Sequence, residues 1–212
     1  MPNTENKQLL IHSIADEWRK KYHSVKLAGK KLYATVAEEC YKITDGSELS
    51  EELRSKQEEA DTMLLLHAYH AGRNGFTTVV ISSDDTDVLV LALAFKSSVP
   101  SSVYIKCVTQ ARTRYIDTTH VVQCHGWCFP GLHAFTACYT VSAFSGKGKM
   151  SALRLTKRHV RLRELFQLVS TDWDVSFVLF SRLQEFTWFV NSSNPGTKYV
   201  NDLRYRLFCA KT

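Results

Sequence analysis

Two short acidic motifs carry the clearest chemistry in this chain of 212 residues. Glu59-Ala60-Asp61 stands at the front of a helix-period segment, and Asp85-Thr86-Asp87 follows a β-branched run, Phe76 to Ser82. Hard divalent cations such as Mg²⁺ and Mn²⁺ take oxygen ligands, with carboxylates, water and substrate phosphate completing the shell. A pair of such ions activates water and stabilises the leaving oxygen in phosphodiester hydrolysis. Glu59, Asp61, Asp85 and Asp87 are therefore candidate metal ligands, with Asp85 and Asp87 the candidate catalytic pair. Each motif also has a plainer reading. Acids are favoured at a helix N-terminus by its dipole, and aspartates form turns and cap helices. Asp84, Asp85 and Asp87 together are harder to explain that way, because their mutual repulsion wants a counter-ion.

The elements that must position these motifs can be read from periodicity. Ser55-Lys56-Gln57-Glu58 fits a capping box, and Ala60, Met63, Leu64, Ala68 and Ala71 then recur at helical spacing. Gly72 and Asn74-Gly75 end that helix. Phe76–Ser82 predicts a buried strand, with further strands at Leu32–Val36, 103–108 and 113–116 and a turn at Thr44-Asp45-Gly46-Ser47. A helix, a buried strand, an acidic loop, the apolar run Val88–Phe95 and another strand predict an α/β fold with a largely parallel sheet. Asp85 and Asp87 then fall in the crevice beyond the strand ends. A second helical region, Gly146 to Phe166, holds Lys147, Lys149, Arg154, Lys157, Arg158, Arg161 and Arg163 against Glu164 alone. Tyr199 to Cys209 predicts a last helix or strand.

Composition narrows the classes. Hydrophobic residues at 44% and charged residues at 23% exclude a disordered tail, a fibre and a disulfide-stapled miniprotein. No apolar run reaches the ~20 residues of a membrane span, and the first residues lack signal-peptide regions. Six cysteines in a chain of this length predict a reducing, intracellular setting, nuclear or cytoplasmic. The net charge of +6 is divided, with 12 Lys/Arg against 15 Asp/Glu in residues 1–100 and 15 against 6 in residues 101–212. An acidic half beside a basic half suits a metal-using enzyme of a polyanion, DNA or RNA, although a basic run by itself is more often a solvated helix face. His120, Cys124, His125, Cys128, His133 and Cys138 crowd together, and zinc at Cys124 and Cys128 is conceivable. Buried cysteines and a core histidine at His133 are the simpler reading. Trp127, Trp173 and Trp188 read as packing residues.

Five segments resemble a group of uncharacterised animal proteins with a PIN-like nuclease domain: Gln57–Ala68, Ser83–Leu91, Phe129–Thr136, Val141–Lys149 and Asn201–Lys211. The resemblance spans about residues 50 to 212. It implies a PIN-like three-layer α/β domain with a central, mostly parallel sheet, followed by a small helical appendage. On that reading residues 1–50 are an N-terminal segment, 51–145 the α/β core and 146–212 a basic helical region with a C-terminal packing segment. Glu-Ala-Asp followed by Asp-x-Asp is similar to the metal-binding pattern of flap-endonuclease-type PIN enzymes. The resemblance thus implies metal-dependent phosphodiester hydrolysis, with Mg²⁺ or Mn²⁺ at Glu59, Asp61, Asp85 and Asp87. Gly146 to Lys149 and the basic segment behind it, notably Lys147, Lys149, Arg154 and Lys157, would contact the nucleic-acid backbone. Two departures imply weakened or absent activity. Tyr139 stands where the relatives carry a further aspartate, and a phenol cannot supply that charge at neutral pH. The first-strand carboxylate of such nucleases has only Asp16 and Asp45 as candidates. The alternatives are a non-catalytic nucleic-acid or protein interaction module that keeps the fold, and a zinc-stabilised structural domain.

Overall fold

The computed structural model describes residues 4–56, 59–110, 112–136, 147–172, 174, 176–191 and 199–210. The chain divides into two compact units, Met1–Phe76 and Thr77–Thr212. The sequence reading divides it after residues 50 and 145 instead. The helix bearing Asp61 groups with the N-terminal segment because its side chains bond to the first strand of that segment.

In the Met1–Phe76 unit, helices α1 (Thr4–Trp18) and α2 (Lys21–Lys26) precede strands β1 (Leu32–Val36), β2 (Glu39–Ile43) and β3 (Ser47–Leu49). A 3₁₀ turn at Glu51–Leu53 leads to α3 (Ala60–Arg73). The strands form an antiparallel meander in which Leu32 pairs with Ile43 and Tyr41 with Leu49. Side chains alternate across the pleat. Ala34 and Val36 of β1 are buried with Cys40, Ile43 and Leu53, while Tyr33 and Thr35 meet α3 on the other face. Thr35 Oγ1 lies 2.8 Å from His67 Nε2 and Tyr33 Oη 3.5 Å from His70 Nε2. Residues two apart on the strand thus meet residues three apart on the helix, run in the opposite sense. At the β1–β2 turn Ala37 takes φ 53°, a left-handed conformation that costs a residue with a Cβ about 1 kcal/mol.

In the Thr77–Thr212 unit, β4 (Thr78–Ser82), α4 (Thr86–Ala94) and β5 (Ser102–Val108) make a parallel crossover, and β6 (Thr113–Asp117) pairs antiparallel with β5. The sheet order is β4-β5-β6. The α/β class holds, but this sheet has one parallel and one antiparallel pair, and the other sheet is wholly antiparallel. A turn closed by Thr109 N–H donating to the Arg112 carbonyl at 3.0 Å reverses the chain directly, and a hairpin can only join antiparallel strands. β4 is also less buried than its apolar residues predict. It lies at the sheet edge, where Ile81 is buried and Val80 is 51% exposed.

Helices α5 (Thr118–His125), α6 (Phe129–Thr136), α7 (Lys149–Arg158), α8 (Val160–Thr171), α9 (Phe177–Asn191) and α10 (Val200–Cys209) complete the unit. The basic helical region expected over 146–166 is two helices. His159, at φ −121° and ψ 102°, is extended and separates α7 from α8. Their core gathers Cys128, Leu132, Ala152, Leu162, Leu165, Phe166, Leu179, Phe186 and Val190, with the Phe166 and Phe186 rings edge-to-face at 4.7 Å. Trp127, read as a packing residue, is 37% exposed, and Trp173 lies outside the described residues. Among the described residues no helix is long and apolar enough to cross a membrane.

Candidate functional site

The capping box expected at Ser55 does not start a helix. The Ser55 amide donates instead to the Glu38 carbonyl at 3.1 Å, and α3 begins at Ala60 with Glu59 as its N-cap. Glu59 makes no side-chain cap bond, its carbonyl accepting from Thr62 Oγ1 at 2.9 Å. Glu58 lies outside the described residues. Asp61 occupies the first turn, where the helix dipole favours an acid. Both candidate ligands of this motif belong to the Met1–Phe76 unit. Asp16, in α1, pairs with Arg19 at 3.3 Å, and Asp45 lies in the turn before β3, so neither ends a strand of a parallel sheet.

The second motif is built at the C-terminal end of β4. Pairing continues one residue past the strand, with Ser83 N–H donating to the Lys106 carbonyl at 3.1 Å. Asp84 Oδ1 then accepts the Val108 amide at 2.7 Å, tying the loop to the end of β5. Asp85 caps α4, its Oδ1 accepting the Asp87 amide at 2.8 Å. Asp87 points across to other helices. Its Oδ1 lies 3.3 Å from His133 Nε2 on α6 and 3.9 Å from Lys149 Nζ at the start of α7.

This answers the repulsion among the three aspartates without a metal ion. Two of them receive backbone amides, and the third faces an ammonium group. Burial of His133, reinforced by Lys149, pushes its imidazole below the ordinary value of 6.5, against the pull of Asp87 and Asp85. At neutral pH the ring is therefore uncharged, and its Nε2–H is the donor that fits the carboxylate. Nδ1 is buried with no hydrogen-bond partner among the described residues. His133, taken from sequence as a core histidine, and Lys149, taken as a phosphate contact, are thus the immediate neighbours of Asp87.

A divalent ion at the aspartates of this unit has to share Asp87 with other groups. Asp87 Oδ1, an oxygen such an ion would take, already faces His133 and Lys149. Among the described residues no three His, Cys, Asp or Glu side chains gather to hold a metal. Tyr139 lies outside the described residues, as does Cys138 of the His/Cys cluster. In that cluster Cys124 Sγ meets His120 Nε2 at 3.5 Å, both residues being on the exposed side of α5. Cys128 is buried, its Sγ donating to the His125 carbonyl at 3.4 Å, and burial pushes its thiol up, away from the thiolate a zinc ion needs.

The basic residues of this region face solvent. Lys147, Arg154, Lys157, Arg158 and Arg161 are exposed and Lys149 half-buried, while Ala152 and Thr156 turn to the core. Arg154, Lys157 and Arg158 share one face of α7 by helical spacing. Among the described residues none of these exposed cations is in an ion pair; Lys149 alone of the group has a carboxylate near it.

Neither a protein-family model, nor a curated protein, nor a solved structure matches this chain.

Proposed function

We propose that the chain grips the phosphate backbone of DNA or RNA inside the cell, as a PIN-like, nuclease-type domain whose phosphodiester hydrolysis is weakened or lost. The observation that supports this reading is the set of exposed cations Lys147, Arg154, Lys157, Arg158 and Arg161, unpaired among the described residues and close in sequence to Lys149 beside the acidic cluster. A polyanion docking on such a surface releases its counter-ions, which favours binding. In this reading β4, α4 and β5 belong to a three-layer PIN-like core, and Asp85 and Asp87 are the remnant of its catalytic pair. A Mg²⁺ or Mn²⁺ ion would supply Lewis acidity and an activated water, and here it has to compete with the Lys149 ammonium for Asp87. Lys149 and His133 hold Asp87 in place; the arginines and lysines of α7 and the start of α8 orient the phosphates.

The test is a salt titration of binding to single- and double-stranded oligonucleotides. Each phosphate-contacting cation removed, as in Arg154→Ser or Lys157→Ser, should flatten the dependence of log affinity on log salt by roughly 0.9 on duplex DNA. Cleavage assays with Mn²⁺ on the parent chain and on Asp85→Asn/Asp87→Asn read the chemistry separately. Affinity that ignores both salt and these substitutions would remove the nucleic-acid reading. Vigorous cleavage abolished by the aspartate changes would restore an active nuclease.

A further inference from the structure

The Met1–Phe76 unit contains a cleft of about 1050 Å³ between β1 and α3, with Ile11 of α1 on its wall. That is just above the roughly 300–1,000 Å³ typical of small-molecule sites. Its composition is that of a ligand site as well. Ile11, Met63 and Leu64 give it an apolar wall, and Thr35 with His67 a hydrogen-bonding floor. Exposed Glu38 and Lys56 flank it; they are brought into neighbourhood by the Ser55–Glu38 backbone bond and are not ion-paired among the described residues.

The charges choose the ligand class. One carboxylate and one ammonium give the cleft no net field to select an ion. Burial pushes His67 below the ordinary 6.5, with His70 acting in the same direction, so the floor is uncharged at neutral pH. The Thr35 bond occupies Nε2. The ring itself is part of the cleft lining. Ala37, in its strained left-handed conformation, also lines the cleft. Backbone strain of this kind persists where the surroundings enforce it, often beside ligands.

We propose that this cleft binds a small, uncharged, largely apolar molecule through one hydrogen-bonding group held at Thr35 and His67. The site uses residues of the Met1–Phe76 unit alone, so it stands or falls independently of nucleic-acid binding.

Nile red, a neutral planar dye with a carbonyl acceptor, is the probe. Titrated into the full chain, it should give saturable one-to-one binding with blue-shifted emission. It should also move the side-chain ¹H–¹⁵N resonances of His67 in the unaltered protein. Leu64→Trp, which fills the cleft, should weaken binding by about tenfold or more, the effect of losing roughly 1.4 kcal/mol. Phe177→Ser, on an exposed apolar residue of the other unit, should leave the titration unchanged. Uptake that does not saturate, or that leaves the His67 resonances in place, overturns the site, as does a loss with Phe177→Ser rather than Leu64→Trp. The His67 shift is read on the unaltered chain, so it tests the site even where Leu64→Trp misfolds.

Discussion

Asp85 has a structural duty that any chemistry it performs must share, since its Oδ1 starts α4 by accepting the Asp87 amide. Asparagine caps a helix about as well as aspartate, whereas alanine costs about 1 kcal/mol. Urea unfolding should therefore find Asp85→Asn near the parent and Asp85→Ala less stable by about that amount. The asparagine variant is the clean chemical probe, because it removes charge while keeping the helix. Lys149 presents the complementary case. Its ammonium stands 3.9 Å from Asp87 Oδ1, so Lys149→Met should raise the affinity for Mn²⁺ measured by calorimetry. Unchanged or weaker Mn²⁺ binding would mean that Lys149 does not compete for the carboxylate. Nothing near Asp87 in sequence announces either neighbour. The Asp-x-Asp pattern was legible because it is local, while the contacts to His133 and Lys149 exist only once α4, α6 and α7 pack.

Among the elements, the contact between α6 and α8 is the most exacting. A Cβ built on Gly131 would stand 2.7 Å from the Phe166 carbonyl oxygen and 3.0 Å from both Ser170 Oγ and Val169 Cβ. Ser170 fills the remaining gap, accepting from the Gly131 amide at 2.9 Å and donating to the Phe166 carbonyl at 2.6 Å. Gly131→Ala should therefore force the helices apart and cost about 1–3 kcal/mol in urea unfolding, where the same change at an open helical site would stabilise. The elements themselves were largely legible: strands at 32–36, 103–108 and 113–116 match β1, β5 and β6 closely, because β-branched and aromatic runs bounded by turn residues have few alternatives. What failed was whatever depended on partners. The capping box at Ser55 gave way to a bond with Glu38. The apolar β4 became an edge strand, since apolar content reports that a strand can be buried and not that it is. The basic region broke at His159, a residue with no breaker character.

Over the whole molecule, three histidines act together on stability. Burial pushes His67, His125 and His133 below the ordinary 6.5. In the pH range between that value and their folded values the unfolded chain binds more protons than the folded one. Stability is then full above about pH 6.5 and falls as the solution is acidified through the lowered values. Thermal unfolding between pH 7.5 and 5 should show this decline, and His67→Phe should make it shallower; a flat profile in the parent would contradict the assigned burial. The charge division was legible at this scale from counting alone, and so was the α/β class. The division into two units was not, because it depends on β1 engaging α3, and nothing in the composition marks Phe76 as a border.

The position of β4 bears on how the protein can be handled. Among the described residues no strand pairs with its outer side, and Val80 is half exposed there. A bare strand edge with an apolar side chain is a template on which another chain can build. In neutral solution the +6 charge holds copies apart. Toward the isoelectric point near pH 9.0 that repulsion vanishes, so concentrated stocks should keep best in neutral, low-salt buffer and should cloud first on the alkaline side, where protein chemists seldom expect trouble.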